Sequence, residues 1–99
     1  MMNMYNNPEM TKLICLLAKA DIPFELIAWE CNEKPTLQIA HPNKAHSVVD
    51  AVSHEYSYGG KQGLIEVLGS VNPNCPNEDV RGWLTAEEAF CYFVNKEVE

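Results

Sequence analysis

Ser47-Val48-Val49-Asp50-Ala51-Val52 is the segment on which the architecture turns. With period 3.6, Val48, Val49 and Val52 line up with Ala45 as the stripe of a helix. The alternative is a strand. Valine carries two heavy atoms on Cβ, which stiffens χ1 in a helix and suits a pleated surface. Three valines in six residues therefore predict a strand, and a strand here implies neighbours on both sides.

Upstream, Phe24-Glu25-Leu26-Ile27-Ala28-Trp29 is rich in aromatic and branched residues and reads as a strand. Cys31-Asn32-Glu33-Lys34-Pro35 has the composition of a turn. Thr36-Leu37-Gln38-Ile39-Ala40 then alternates with period two, so the two segments predict a hairpin that His41-Pro42-Asn43 ends. Downstream, the loop His54-Glu55-Tyr56-Ser57-Tyr58-Gly59-Gly60-Lys61-Gln62-Gly63 leads into the strand Leu64 to Leu68, closed by Gly69. Residues 69–79 form a polar loop punctuated by proline.

Helices flank the strands. Asn7-Pro8-Glu9 is a helix start, with Asn as N-cap, Pro at the first position and an acid in the first turn. Met10, Leu13, Ile14, Leu17 and Ala20 then share one face, until Ile22-Pro23 stops the helix. Near the other end, Thr85 with Glu88 makes a capping box. Ala86, Ala89, Phe90, Phe93 and Val94 follow as an apolar face, and Lys96 complements the helix dipole. The expected fold is α+β: a four-stranded, mainly antiparallel sheet flanked by an N-terminal and a C-terminal helix. Residues 1–7 are expected to be a flexible tail and residues 8–99 a single domain.

The 99 residues, 46% of them hydrophobic, suit one core and are too few for two. No apolar run of about 18 residues occurs, so no membrane span is expected. MMNMYNNPEM lacks the basic and apolar regions of a signal peptide, which predicts a cytoplasmic location. Fourteen acidic against seven basic residues give a net charge of −7, which argues against direct nucleic-acid binding through phosphates. The acidity serves solubility, or it supplies a face for a basic partner by imitating a phosphate backbone. Glu78, Asp79, Glu87, Glu88, Glu97 and Glu99, with Arg81 and Lys96 among them, would form that face.

Cys15, Cys31, Cys75 and Cys91 lack C-x-x-C spacing, and disulfides are not expected in a cytoplasmic chain. Cys31 and Cys75 with His41, His46 and His54 do not have the spacing of a structural zinc site, so no metal is expected. No other cofactor is indicated either.

The loop from His54 to Gly63 holds three of the chain's five glycines. It lacks the order of a Walker loop and does not lie between a strand and a helix, so it is neither a Walker nor a Rossmann element. Two readings stand. Gly59, Gly60 and Gly63 serve the turn geometry of a long hairpin connection. Or the loop is one wall of a binding site, with Tyr56 and Tyr58 offering stacking faces, Ser57 and His54 polar groups, and Lys61 a charge for a phosphate. Asp50 and Glu66 lie inside predicted strands, where they face solvent on an open sheet or join His54 in acid–base chemistry. No nucleophile or oxyanion signature accompanies them, so the reading leans away from an enzyme. Arg81-Gly82-Trp83 would line a groove, with Arg81 the only guanidinium in the chain. Trp29 and Trp83, near element ends, serve the core or anchor an interface.

Together Pro42, Asp50, His54, Ser57-Tyr58-Gly59-Gly60 and Gly63-Leu64-Ile65-Glu66, followed by Val80-Arg81-Gly82-Trp83-Leu84-Thr85-Ala86-Glu87-Glu88-Ala89-Phe90, resemble small uncharacterised proteins of bacteriophages and prophages of Firmicutes. The resemblance spans most of residues 12–93, and where that group often reads Tyr-Pro this chain has His41-Pro42. It implies a protein that acts on host machinery or immunity in the host cytoplasm. One expectation is a sponge that binds a nucleotide-type immune signal without cleaving it. The alternatives are an acidic, anti-CRISPR-like inhibitor of a basic host protein, a phosphodiesterase-type hydrolase, and a structural or regulatory accessory. A homo-oligomer is expected, because a domain this small often builds pockets between copies.

Overall fold

The computed structural model describes residues 7–75 and 80–94. Helix α1 (Pro8–Lys19) is followed by strands β1 (Glu25–Cys31), β2 (Lys34–His41), β3 (Val49–Val52), β4 (Ile65–Leu68) and β5 (Arg81–Leu84), and by the short helix α2 (Ala86–Phe90). The five strands form one antiparallel sheet in chain order. No helix among the described residues is long and apolar enough to cross a membrane.

Local chemistry accounts for the ends of α1. The Asn7 side chain accepts from the Met10 N–H at 3.0 Å and Pro8 follows it, which satisfies one orphan donor where proline lacks its own. At the far end, the Ile22 N–H reaches the Leu17 carbonyl and the Asp21 N–H the Ala18 carbonyl. This is a Schellman ending with Asp21, at φ 59°, where glycine is usual.

The valine-rich segment is a strand: β3 pairs with β2 through Ile39↔Ala51 and with β4 through Ala51↔Val67. The first hairpin is tighter than its composition predicted. Only Asn32 and Glu33, at φ 53° and 66°, form the turn, the two-residue type whose twist matches that of the strands. Lys34 and Pro35 belong to β2. Pro35 pairs with Glu30, whereas β3 reaches β2 only from Gln38 to His41, so the missing N–H leaves no gap in a three-strand ladder.

The expected four strands are five. Arg81-Gly82-Trp83-Leu84 adds β5 to the outer edge of β4, with Ile65↔Leu84 and Val67↔Arg81 in register. Three steps on β5 thus oppose two on β4, so β5 carries a bulge. Trp83 sits in it at φ 55°.

Both helices cover the same face of the sheet. Met10, Leu13 and Leu17 of α1 and Ala86 and Ala89 of α2 meet Ile39, Val49, Ala51, Ile65 and Val67 in one core, each fully buried large side chain contributing about 1.5–3 kcal/mol. Phe93 completes it from a 3-10 turn, Cys91–Phe93, that tightens the end of α2. The capping box is present, with Thr85 accepting from the Glu88 N–H and Glu88 accepting from the Thr85 N–H. The opposite face, with Gln38, Asp50, Val52, Glu66 and Leu68, carries no helix among the described residues. Lys96 and the tail residues 1–6 lie outside the described residues.

Candidate functional site

The loop between β3 and β4 is stitched to itself and to the sheet. At its base the Ser53 hydroxyl donates to the Leu64 carbonyl and accepts from the Asn7 amide. Ser57 is buried, its hydroxyl donating to the His54 carbonyl at 2.8 Å and accepting from the His54 N–H at 2.9 Å. The chain then winds into a 3-10 turn, Gly60–Gln62, framed by Gly59 and Gly63 at φ 90° and 78°.

This folding engages most of the loop's backbone donors. The N–H groups of Ser57, Gly60, Gln62, Gly63 and Leu64 bond to carbonyls within the loop. Those of His54, Tyr56 and Tyr58 bond to Ser57 Oγ, His54 Nδ1 and Glu66 Oε1. A phosphate cradle needs such donors pointing outward, and eight of them here point inward. The glycines serve close packing: a Cβ on Gly60 would run into the His54 carbonyl, and one on Gly82 into Tyr58. The hairpin-connection reading is therefore sufficient for the glycines, and what the loop offers a ligand is its side chains.

Those side chains meet β5. The Trp83 N–H donates to the Tyr58 carbonyl at 3.0 Å. The two rings stack at a centroid distance of 5.4 Å and an interplanar angle of 9°, an offset arrangement favoured by aromatic quadrupoles. Both stay open to solvent, Tyr58 52% and Trp83 58% exposed. A bulky residue at positive φ is uncommon and tends to mark functional positions. Beside the pair lies a shallow groove of about 200 Å³, lined by Tyr58, Trp83, Glu55, Ser57, Gly59, Lys61 and Gln62.

The expected site residues thus divide. Ser57, Tyr58, Gly59 and Lys61 line the groove; Gly60 and Gly63 shape the turn behind it. Tyr56 is exposed and its hydroxyl accepts from Asn32. Glu66 holds the Tyr58 N–H at 2.8 Å, so it positions the aromatic pair. Asp50 accepts from the Gln38 amide across β2 and β3. His54 packs edge-on against Trp29, with its Nδ1 3.5 Å from Cys31 Sγ. His54, Asp50 and Glu66 each have separate partners, and no hydrogen bond joins them into the acid–base alternative. Arg81 is not among the groove's lining residues. It opposes the effect of burial, which is the main cause of a raised Tyr92 hydroxyl pKa. Beyond the Cys31–His54 contact, the cysteines and histidines gather into no group of three among the described residues, with Cys75 beside the Cys91 carbonyl and His41 against Phe93 and the Pro23 carbonyl. Burial, with Cys91 nearby, pushes the Cys75 thiol up.

Glu55 and Gln62 were passed over in the sequence, where neither type stands out in a loop. Glu55 accepts from Asn32 and Lys34 of the first hairpin. These bonds, Asn32 first, hold its carboxyl below the ordinary glutamate range. A carboxyl lowered on folding stabilises the fold at neutral pH, and that contribution disappears as the pH falls from about 4.3 through the folded value. Glu55→Gln is therefore expected to flatten the acid limb of a melting-temperature profile relative to wild type, which thermal melts between about pH 5 and 3 would show. No family model, curated protein or solved structure matches the chain.

Proposed function

We propose that the protein binds a nucleotide-type small molecule at the Tyr58–Trp83 groove and sequesters it without cleavage, as a phage-encoded counter-defence sponge. The observation that carries the binding half is the exposed, parallel Tyr58–Trp83 pair beside Lys61. An exposed ring pair held in place by backbone offers a flat heterocycle a stacking surface without ordering cost, and base–aromatic stacking contributes about 1–3 kcal/mol per base. Lys61 supplies a point charge for a phosphate. The Glu55 carboxylate and Gln62 amide offer acceptor and donor groups for a base edge.

The groove, about 200 Å³, is below the roughly 300–1,000 Å³ of enclosing ligand pockets, so it suits one base-and-phosphate unit. Sequestration is favoured over hydrolysis because the serine of the lining, Ser57, is buried with its hydroxyl both donating and accepting within the loop. The counter-defence role rests on the resemblance of the Ser57–Glu66 and Val80–Phe90 segments to phage and prophage proteins. The acidic-inhibitor reading draws less from the described residues: Glu87 pairs with Lys12 and Glu88 closes the capping box, while Glu78, Asp79, Glu97 and Glu99 lie outside them.

Titration with AMP, ADP-ribose and cyclic dinucleotides, followed by tryptophan fluorescence and thermal melting, tests the proposal. A ligand at 100 times its Kd adds about 2.7 kcal/mol, a rise of roughly 10–20 °C for a domain of this size. Tyr58→Ala and Lys61→Ala are expected to abolish that rise, Lys61→Ala leaving the unliganded stability within about 0.5 kcal/mol of wild type and Tyr58→Ala lowering it by about 1–2 kcal/mol through the lost ring stack. Absence of any shift with all these nucleotides would end the reading. Ligand recovered intact after heat denaturation supports a sponge; a cleaved one makes the protein a hydrolase.

A further inference from the structure

The two outer strands of the sheet differ in kind. β5 has four residues, a bulge and a tryptophan at positive φ, features that blunt an edge against pairing. β1 has seven residues in unbroken register with β2 and pairs on that side only among the described residues. It contains no proline or glycine, and Leu26 and Trp29 on it are 42% and 37% exposed. Such an edge is a template for another strand. We propose that its occupant is the β1 strand of a second copy of this chain, paired antiparallel about a two-fold axis at Ala28.

The side chains select this register. With Ala28 opposite Ala28, Ile27 faces Trp29 of the second copy twice across the axis, a β-branched–aromatic pair that stabilises sheets. Leu26 faces Glu30, Glu25 faces Cys31, and no two glutamates are opposed. A shift of one residue toward the strand's start sets Glu25 against Glu30 at two positions, which like-charge repulsion disfavours. A one-residue shift in either direction turns the second copy over, so its helices would lie on the opposite face and no two-fold axis would relate the copies. Glu25 is a poor guard for the edge because its carboxylate already accepts from the Lys44 N–H at 2.8 Å. The Ala28 register joins two five-stranded sheets into one of ten strands with all helices on one face. The argument is independent of the ligand at the groove.

Sedimentation velocity over a concentration series tests it. The wild-type mass is expected to rise from 11.2 kDa toward twice that value. Ala28→Lys opposes two ammonium groups at the axis and is expected to hold the chain at the monomer mass. Leu26→Lys sets a lysine opposite each Glu30 and is expected to tighten the dimer by about three- to tenfold. Both positions are solvent-exposed, so circular dichroism should show the fold retained, and the Leu26→Lys arm stands if Ala28→Lys fails to fold. A wild-type chain that stays monomeric at high micromolar concentration overturns the proposal, as does a dimer indifferent to Ala28→Lys. A dimer weakened by Leu26→Lys would mean another register and overturns it too.

Discussion

Gly60→Ala is expected to destabilise the domain by about 3–5 kcal/mol, the sum of overpacking and a broken buried hydrogen-bond pair. The backbone at position 60 is not in the left-handed region, so dihedral strain plays no part. The new methyl would meet the His54 carbonyl oxygen and lie 2.5 Å from Ser57 Oγ. Relief requires the Ser57 hydroxyl to leave His54, whose N–H and carbonyl it serves together. Against a total of about 5–15 kcal/mol for a domain, this is a large fraction. Gly63→Ala is the control. Gly63 has φ 78° but open space where a Cβ would go, so only the left-handed strain of about 1–2 kcal/mol applies. Urea midpoints for the two variants would measure the difference. Equal losses would mean that the Gly60 contact yields easily.

The contrast between these glycines marks where the sequence stopped being informative. Asn7-Pro8 and Thr85…Glu88 announced their helix starts because a cap is decided within four residues. The valines of β3 announced a strand because χ1 stiffness is a property of each residue. β5 was missed for the opposite reason. Arg81-Gly82-Trp83-Leu84 is four residues with a glycine inside, and its pairing depends on a bulge and on Tyr58, 25 positions earlier in the chain. The turn of the first hairpin was legible over residues 31–35, but its tightening to Asn32-Glu33 was not, because glutamate at positive φ breaks the usual turn chemistry. In the loop, tyrosine and lysine were legible as candidate ligand groups. That the glycines fill space and that Glu66 positions Tyr58 was not legible, because both are contacts between elements.

Phe93→Ala is expected to remove about 3–5 kcal/mol and lower the melting temperature by on the order of 15–30 °C. Phe93 is 1% exposed and packs edge-on against His41 at a centroid distance of 6.1 Å. It joins the α1 and α2 side chains to the sheet in a core whose other fully buried members are small or medium-sized, and those aliphatic side chains are too short to fill the space a phenyl ring leaves. Trp83→Gly removes a larger aromatic and is expected to change stability by no more than about 1 kcal/mol. The indole is 58% exposed, so little burial is lost, and glycine relieves the φ 55° strain. Its backbone N–H to the Tyr58 carbonyl survives the change. The Trp83→Gly protein should therefore melt near wild type while giving no thermal shift with a nucleotide that shifts wild type. A large stability loss in Trp83→Gly would mean that the Tyr58–Trp83 pair is a structural clasp. Near-native melting with lost binding would mean that the chain maintains a strained, exposed tryptophan for what it holds.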